Sequence, residues 1–151
     1  MNKSKLLASG VAVIALLALS ACMNSGSDAD VGRPITASGL YTLTSLGLER
    51  DYYLRLPTGY VAGEESRPLL IALHGAGDSI DGWFEGGFQG GGLQRLSRDG
   101  AIMVIPNARP AAEGRRIWDV STETDYVFFL DLLSELEQRV GYDKRRIFVT
   151  G

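Results

Sequence analysis

The chain has 151 residues, enough for one domain or for part of a larger one. Apolar residues make up 45% and charged residues 22%, the balance of a globular chain. A formal net charge of −3, with no basic patch interleaved with aromatics, counts against nucleic acid as a partner. The short runs Arg115-Arg116 and Lys144-Arg145-Arg146 read as loops or helix ends in water.

The first residues read as a leader rather than as part of the fold. Lys3 and Lys5 make a positive start, and residues 6–19 are apolar apart from Ser9 and Gly10. That stretch is shorter than the roughly 20 residues a spanning helix needs, so residues 1–21 are expected to be a signal peptide. Leu19-Ser20-Ala21-Cys22 resembles the lipobox of bacterial lipoproteins, and the chain's single Cys falls where that family is acylated. The resemblance implies a lipid anchor on Cys22, the membrane as a partner, and an extracytoplasmic, membrane-anchored location. Ordinary secretion with an idle Cys is the alternative. A lone Cys makes no internal disulfide. Residues 22–37 are small and polar, and are expected to be a flexible tether ahead of a folded part at 38–151.

Gly39–Ser45 alternates apolar and polar residues and predicts a first strand. Asp51 to Leu56 predicts a second, which Leu48-Glu49-Arg50 extends and Pro57-Thr58-Gly59 ends; the two should pair antiparallel. Pro68-Leu69-Leu70-Ile71-Ala72-Leu73 is continuously apolar, as a strand covered on both faces should be. Ala101-Ile102-Met103-Val104-Ile105 and Ile147-Phe148-Val149 have the same character. A Gly-rich stretch and a short helical pattern over 93–98 separate the first two of these runs, with Gly100 as a stop.

Residues 125–140 carry the strongest helical pattern, with Phe129, Leu132, Leu133, Leu136 and Val140 at helical spacing. Thr122 or Thr124 is expected to cap it, Glu123 and Asp125 suit its positive end, and Gly141 suits its C-terminal stop. The alternation of buried strand and helix implies an α/β fold, with a parallel sheet and right-handed crossovers after the antiparallel pair.

His74-Gly75-Ala76-Gly77 follows the first buried strand directly. Glycines there let the backbone turn sharply and approach a ligand. A phosphate-binding loop needs Lys-Ser or Lys-Thr after the glycines, where Asp78-Ser79 stands; a dinucleotide fingerprint needs a Gly at the position of Ile80. A nucleotide-binding reading therefore rests on Gly75-x-Gly77 alone. An oxyanion hole needs only exposed amides, and suits the run best.

The segments 68–77, Ile105-Pro106-Asn107, Trp118-Asp119, 124–130 and 142–151, in that order, resemble the N-terminal half of secreted esterases of the polyhydroxybutyrate depolymerase and feruloyl esterase type, which are α/β-hydrolases. The resemblance spans residues 40–151. It implies the N-terminal part of an α/β-hydrolase fold, cut at the nucleophile strand, and an ester substrate for the full-length family, with no cofactor. It further implies that Ala76, with Gly75, supplies an oxyanion-hole amide, and that His74 and Gly77 hold that loop as structural residues. Gly151 matches the first Gly of the nucleophile turn GxSxG, so Ser, acid and base are all expected beyond it. None of the triad is then present, and the chain alone is expected to be inactive.

Other residues receive plainer readings. Trp83, Phe84, Phe88 and Trp118 are candidates for an aromatic-walled pocket or for core packing. Asp119 and Asp125 are expected to fix a loop and a helix start. No metal site is expected; Asp78, Asp81 and Glu85 share one loop that reads as solvated. Against the esterase stands a non-catalytic lipoprotein serving as a binding module. Its weakness is that Ile147-Phe148-Val149 would remain an open apolar edge.

Overall fold

A computed structural model describes residues 32–85, 100–111, 113–119 and 121–151. The expected signal peptide, Cys22 and most of the tether lie outside the described residues. So do the Gly-rich stretch with Phe88, the helical pattern at 93–98, and the side chains of Trp83 and Phe84. No helix among the described residues is long and apolar enough to cross a membrane.

Strands β1 (Gly39–Ser45) and β2 (Leu48–Arg55) pair antiparallel, from Gly39 opposite Leu54 to Ser45 opposite Leu48. Their two-residue turn puts Leu46 at φ 50° and Gly47 at φ 74°, the left-handed pair that matches the twist of a tight hairpin. Strands β3 (Leu69–Ala72), β4 (Ile102–Pro106) and β7 (Ile147–Thr150) are parallel. The sheet order is β1-β2-β4-β3-β7, with β2 antiparallel to β4. Short strands β5 (Arg109–Pro110) and β6 (Arg116–Ile117) form a separate pair. Helix α1 spans Ile80–Glu85, and α2 spans Thr124–Arg139. The strand bounds lie within a residue or two of those expected, but β5, β6 and α1 carried no signal in the sequence.

The parity of each strand sorts its side chains between two cores. Tyr52, Leu54, Leu69, Ile71, Ile102 and Val104 face α2 and meet Phe128, Leu132 and Leu136. Leu70, Ala72, Met103 and Ile105 form a smaller cluster on the opposite face with Ile80. Each fully buried side chain of this class is worth about 1.5–3 kcal/mol relative to exposure, which is why β3 and β4 sit at the centre.

Two expectations need correction. Ile35, inside the expected tether, is buried in the larger core, and its N–H donates to the Arg139 carbonyl at 2.8 Å. The Arg139 Nε also donates to the Arg33 carbonyl at 2.9 Å, so packed structure reaches back to residue 33 rather than starting at 38. The N-cap position of α2 is Glu123 rather than Thr122 or Thr124, and Glu123 makes no side-chain cap bond. The Thr122 hydroxyl accepts the Thr124 N–H at the start of the helix at 3.4 Å, and is also engaged by the Asp119 carboxylate and the Thr124 hydroxyl.

Gly141 ends α2 as expected. At φ 81° it needs the left-handed region, and its N–H returns to the Leu136 carbonyl at 2.9 Å. A Cβ there would also lie 3.1 Å from the Gly63 Cα, so space as well as φ demands glycine.

Candidate active site

In a parallel sheet, loops at the carboxyl ends of the strands carry the ligand site, most often where the strand order reverses. Here β3 has β4 on one side and β7 on the other, so the residues after β3 and β7 are the ones to inspect. Leu73 extends the ladder by donating to the Thr150 carbonyl at 2.7 Å. Gly151 then lies against Leu73: a Cβ on it would come 3.0 Å from the Leu73 carbonyl oxygen and 3.1 Å from the Leu73 Cβ. Gly151 and the His74–Gly77 turn therefore share one end of the sheet.

His74 is 2% exposed and both its ring nitrogens are engaged. Nε2 accepts the Ala108 N–H at 3.0 Å, so the proton sits on Nδ1, which lies 2.9 Å from the Gly75 carbonyl. The Trp118 Nε1 donates to the His74 carbonyl at 2.8 Å, and the two rings lie 4.9 Å apart. Trp118 in turn lies 5.6 Å from Phe129 of α2, which ties it to the body of the fold. Gly77 is at φ 86°, and its N–H donates to the Arg116 carbonyl of β6 at 2.7 Å. Asp78 closes the turn with a bond from its N–H to the Gly75 carbonyl at 3.1 Å.

The result is a turn held at both ends and open in the middle. Gly75 and Ala76 are exposed, and among the described residues neither N–H meets an acceptor. A Cβ built on Gly75 would touch nothing within 4 Å, so the turn is open on the side-chain side of Gly75. Amides fixed in this way can stabilise negative charge developing on a carbonyl oxygen without reorganising first. Among the described residues no cluster of three His, Cys, Asp or Glu side chains could hold a metal ion.

Asp119 and Asp125 bind the chain that leads into α2. Asp119 accepts from the Ser121 and Thr122 backbone N–H groups at 3.0 Å each and from both hydroxyls. The Thr122 hydroxyl, then that of Ser121, holds the Asp119 carboxyl well below the usual carboxylate range. Asp125 accepts the Asp119 N–H.

Two residues that the sequence left without a role support the site from behind. Asn107 accepts the Ile80 N–H at 3.0 Å, donates to Asp51, and donates its own N–H to the Asp51 carbonyl at 2.9 Å. It thus fixes the start of α1 relative to β2. Arg50 is 3% exposed, with its Nη2 2.7 Å from Asp125 Oδ1 and its Cζ 3.8 Å from the centroid of Phe128. A usable signal existed: Arg50 shares the strand parity of Tyr52 and Leu54, the inward-facing positions of β2.

No family model matches the chain, and no curated protein matches it. Solved structures do. A ferulic acid esterase is similar at 23% identity and TM-score 0.55, over 75% of this chain and 47% of its own. A protein called sOPH is similar at 18% identity and TM-score 0.57, over 79% of this chain and 44% of its own. A protein called pOPH, at 14% identity and TM-score 0.52, is covered to 44% by 77% of this chain. The chain spans less than half the length of these structures. Identities this low speak for architecture alone. What sheet order, strand directions and neighbours together show is the N-terminal part of an α/β-hydrolase fold.

Proposed function

We propose that residues 33–151 are the N-terminal half of a serine ester hydrolase, extracytoplasmic and held at the membrane through lipid on Cys22. Its substrates would be carboxylic esters of the polyhydroxyalkanoate or feruloyl type. The observation that carries this reading is the His74–Gly77 turn, whose free Gly75 and Ala76 amides lie at the same end of the sheet as Gly151. In such an enzyme a Ser hydroxyl attacks the ester carbonyl, the alcohol leaves, and water then cleaves the acyl-enzyme. Ala76, with Gly75, would donate to the oxyanion formed in each step, and Gly151 would open the turn that presents the Ser. His74 and Gly77 would keep the amides in place, while Trp118 and Trp83 remain candidates for a pocket wall.

The nucleophile, acid and base would lie outside residues 1–151. The chain's one His has its Nε2 lone pair engaged by Ala108 and its proton facing Gly75, which leaves no histidine to act as the base here. Purified residues 1–151 should therefore hydrolyse p-nitrophenyl butyrate no faster than buffer. Turnover that disappears in Ser79→Ala would overturn the assignment. Reading the coding sequence past codon 151 in every frame tests it independently, with x-Ser-x-Gly as the expected continuation. A stand-alone binding module fits less well, because it leaves Phe148 and Val149 of β7 in water.

A further inference from the structure

The ion pair between Arg50, near the start of β2, and Asp125, in the first turn of α2, is buried at both ends. Arg50 Nη1 and Asp125 Oδ1 nevertheless make no directed hydrogen bond. Taking two charges out of water costs much of what their attraction returns, and matched apolar residues in such a place are often as stable or more so. Stability is therefore a weak account of this pair, and its other contacts show what it holds.

Those contacts lead to the candidate site. β2 runs antiparallel to β4, so Arg50 stands beside the chain that leaves β4. Its Nη2 donates to the Asn107 carbonyl at 3.1 Å. The same peptide group carries the Ala108 N–H, which donates to His74 Nε2 at 3.0 Å. That bond puts the ring proton on Nδ1, 2.9 Å from the Gly75 carbonyl. The Gly75 carbonyl shares its peptide group with the Ala76 N–H, which is exposed and unmet among the described residues. Every donor thus points the same way, from the buried guanidinium through two peptide groups and one imidazole to the free Ala76 amide. Bonds joined head to tail polarise one another, by about 10–30% per bond. A cation at one end makes the last N–H a better donor to an oxygen that is gaining negative charge.

We propose that Arg50 is a positioning residue for the oxyanion-hole amide, acting on Ala76 through the Asn107–Ala108 peptide and His74 rather than by contact. Its role in catalysis rests on the ester-hydrolase reading; the relay itself does not. Asp125 holds the second arm: its Oδ2 accepts the Asp119 N–H, and the adjoining Trp118 donates its Nε1 to the His74 carbonyl at 2.8 Å. The pair thereby holds His74 from its ring and from its backbone.

The full chain, labelled in nitrogen and followed by NMR, tests the proposal. In the parent we expect a single His74 tautomer with its proton on Nδ1, and a through-bond coupling between the Ala108 and Nε2 nitrogens. A proton on Nε2, or no such coupling, overturns the relay without any variant. Arg50→Met combined with Asp125→Leu removes both charges and keeps the core filled. There we expect mixed His74 tautomers, an Ala76 amide proton moved upfield, and at least tenfold faster exchange of the Ala108 amide, with the Leu132 amide in the core changed less than twofold. Arg50→Lys, which keeps a cationic donor, should retain the parent tautomer, and with the parent coupling it decides the matter if the double variant does not fold. Equal acceleration at Ala108 and Leu132, an unchanged His74 signal in the double variant, or loss of the tautomer in Arg50→Lys would each overturn the proposal. None of these readouts needs turnover, so an ester-hydrolase reading that fails for want of x-Ser-x-Gly past codon 151 leaves them intact.

Discussion

Strands β3 and β7 are parallel neighbours built from the same kind of sequence, and they live in opposite surroundings. Leu69, Leu70 and Ile71 of β3 are at most 6% exposed, whereas Phe148 and Val149 of β7 are 56% and 62% exposed. Both runs lack the polar alternation of a strand with one wet face. A continuous apolar run therefore records that both faces need cover, while the fold around it decides whether cover is present. α2 covers one face of β3 and Ile80 of α1 packs on the other; among the described residues β7 pairs with β3 alone and forms an edge. An apolar edge of this kind is what folded proteins normally blunt with charge or bulges, and β7 carries neither in Ile147–Thr150.

The sharpest way to break this comparison is a matched pair of truncations. Leu69→Ala should cost about 2–5 kcal/mol, because it opens a cavity in packed surroundings. Val149→Ala should stay within about 0.5 kcal/mol, as a surface change does. Urea unfolding of the two variants, with the slope checked for constancy, reads the difference directly. A Val149→Ala cost that rivals that of Leu69→Ala would mean that β7 is covered in solution, by another copy or another chain.

A smaller effect is expected at the turn that delivers the chain to β7. Gly141→Ala forces a side chain into φ 81° and sets its Cβ 3.1 Å from the Gly63 Cα. A substitution at an incompatible φ destabilises by more than about 1 kcal/mol, and the contact with Gly63 adds to that. Gly59→Ala, also at positive φ (70°) but with nothing within 4 Å of its Cβ, carries the φ cost alone. Equal losses in the two variants would show that Gly63 moves aside.

Most of the sheet was legible in the sequence, and the reasons are physical. The apolar runs of β3, β4 and β7 and the helical spacing of α2 are local patterns set by burial, so a local reading finds them. The antiparallel pair was legible from its alternation, but the tightness of its turn was not, since Leu46 at φ 50° is an uncommon choice that the paired strands impose. The elements that escaped are held by distant partners. The start of α1 is pinned by Asn107, 27 residues away, and β6 is fixed through Gly77 and Ala108. The amide turn was legible at the candidate site because glycines after a buried strand carry a local meaning. The parity of Arg50 with Tyr52 and Leu54 carried its burial, but not its partners, because Asp125 and Phe128 lie across the fold on α2.

The loop into β7 offers the finest test, and one that uses pH. Asp143 is 9% exposed and accepts from the Arg146 Nε at 2.8 Å and from the Arg145 N–H at 3.0 Å. Its own N–H donates to the Arg67 carbonyl at 2.8 Å, which ties the loop to the chain just before β3. The Arg146 bond, then those from Arg145, holds its carboxyl down at about 2. A carboxylate whose pKa is lower in the folded state than in the unfolded one stabilises the fold above the unfolded value, near 4. That contribution is lost as pH falls from about 4 towards 2, because the unfolded state takes up its proton first. Asp143→Asn removes this one titration and leaves those of the other carboxylates. The midpoint of urea unfolding should therefore fall less steeply between pH 4 and 2 in Asp143→Asn than in the parent chain, while the parent is the more stable above pH 5. Parallel curves would mean that Arg145 and Arg146 stay with solvent and that the entry to β7 is as open as its edge. Divergent curves would show that the bond between Asp143 and Arg146 holds the chain in place up to the first residue of β7, ahead of its exposed edge.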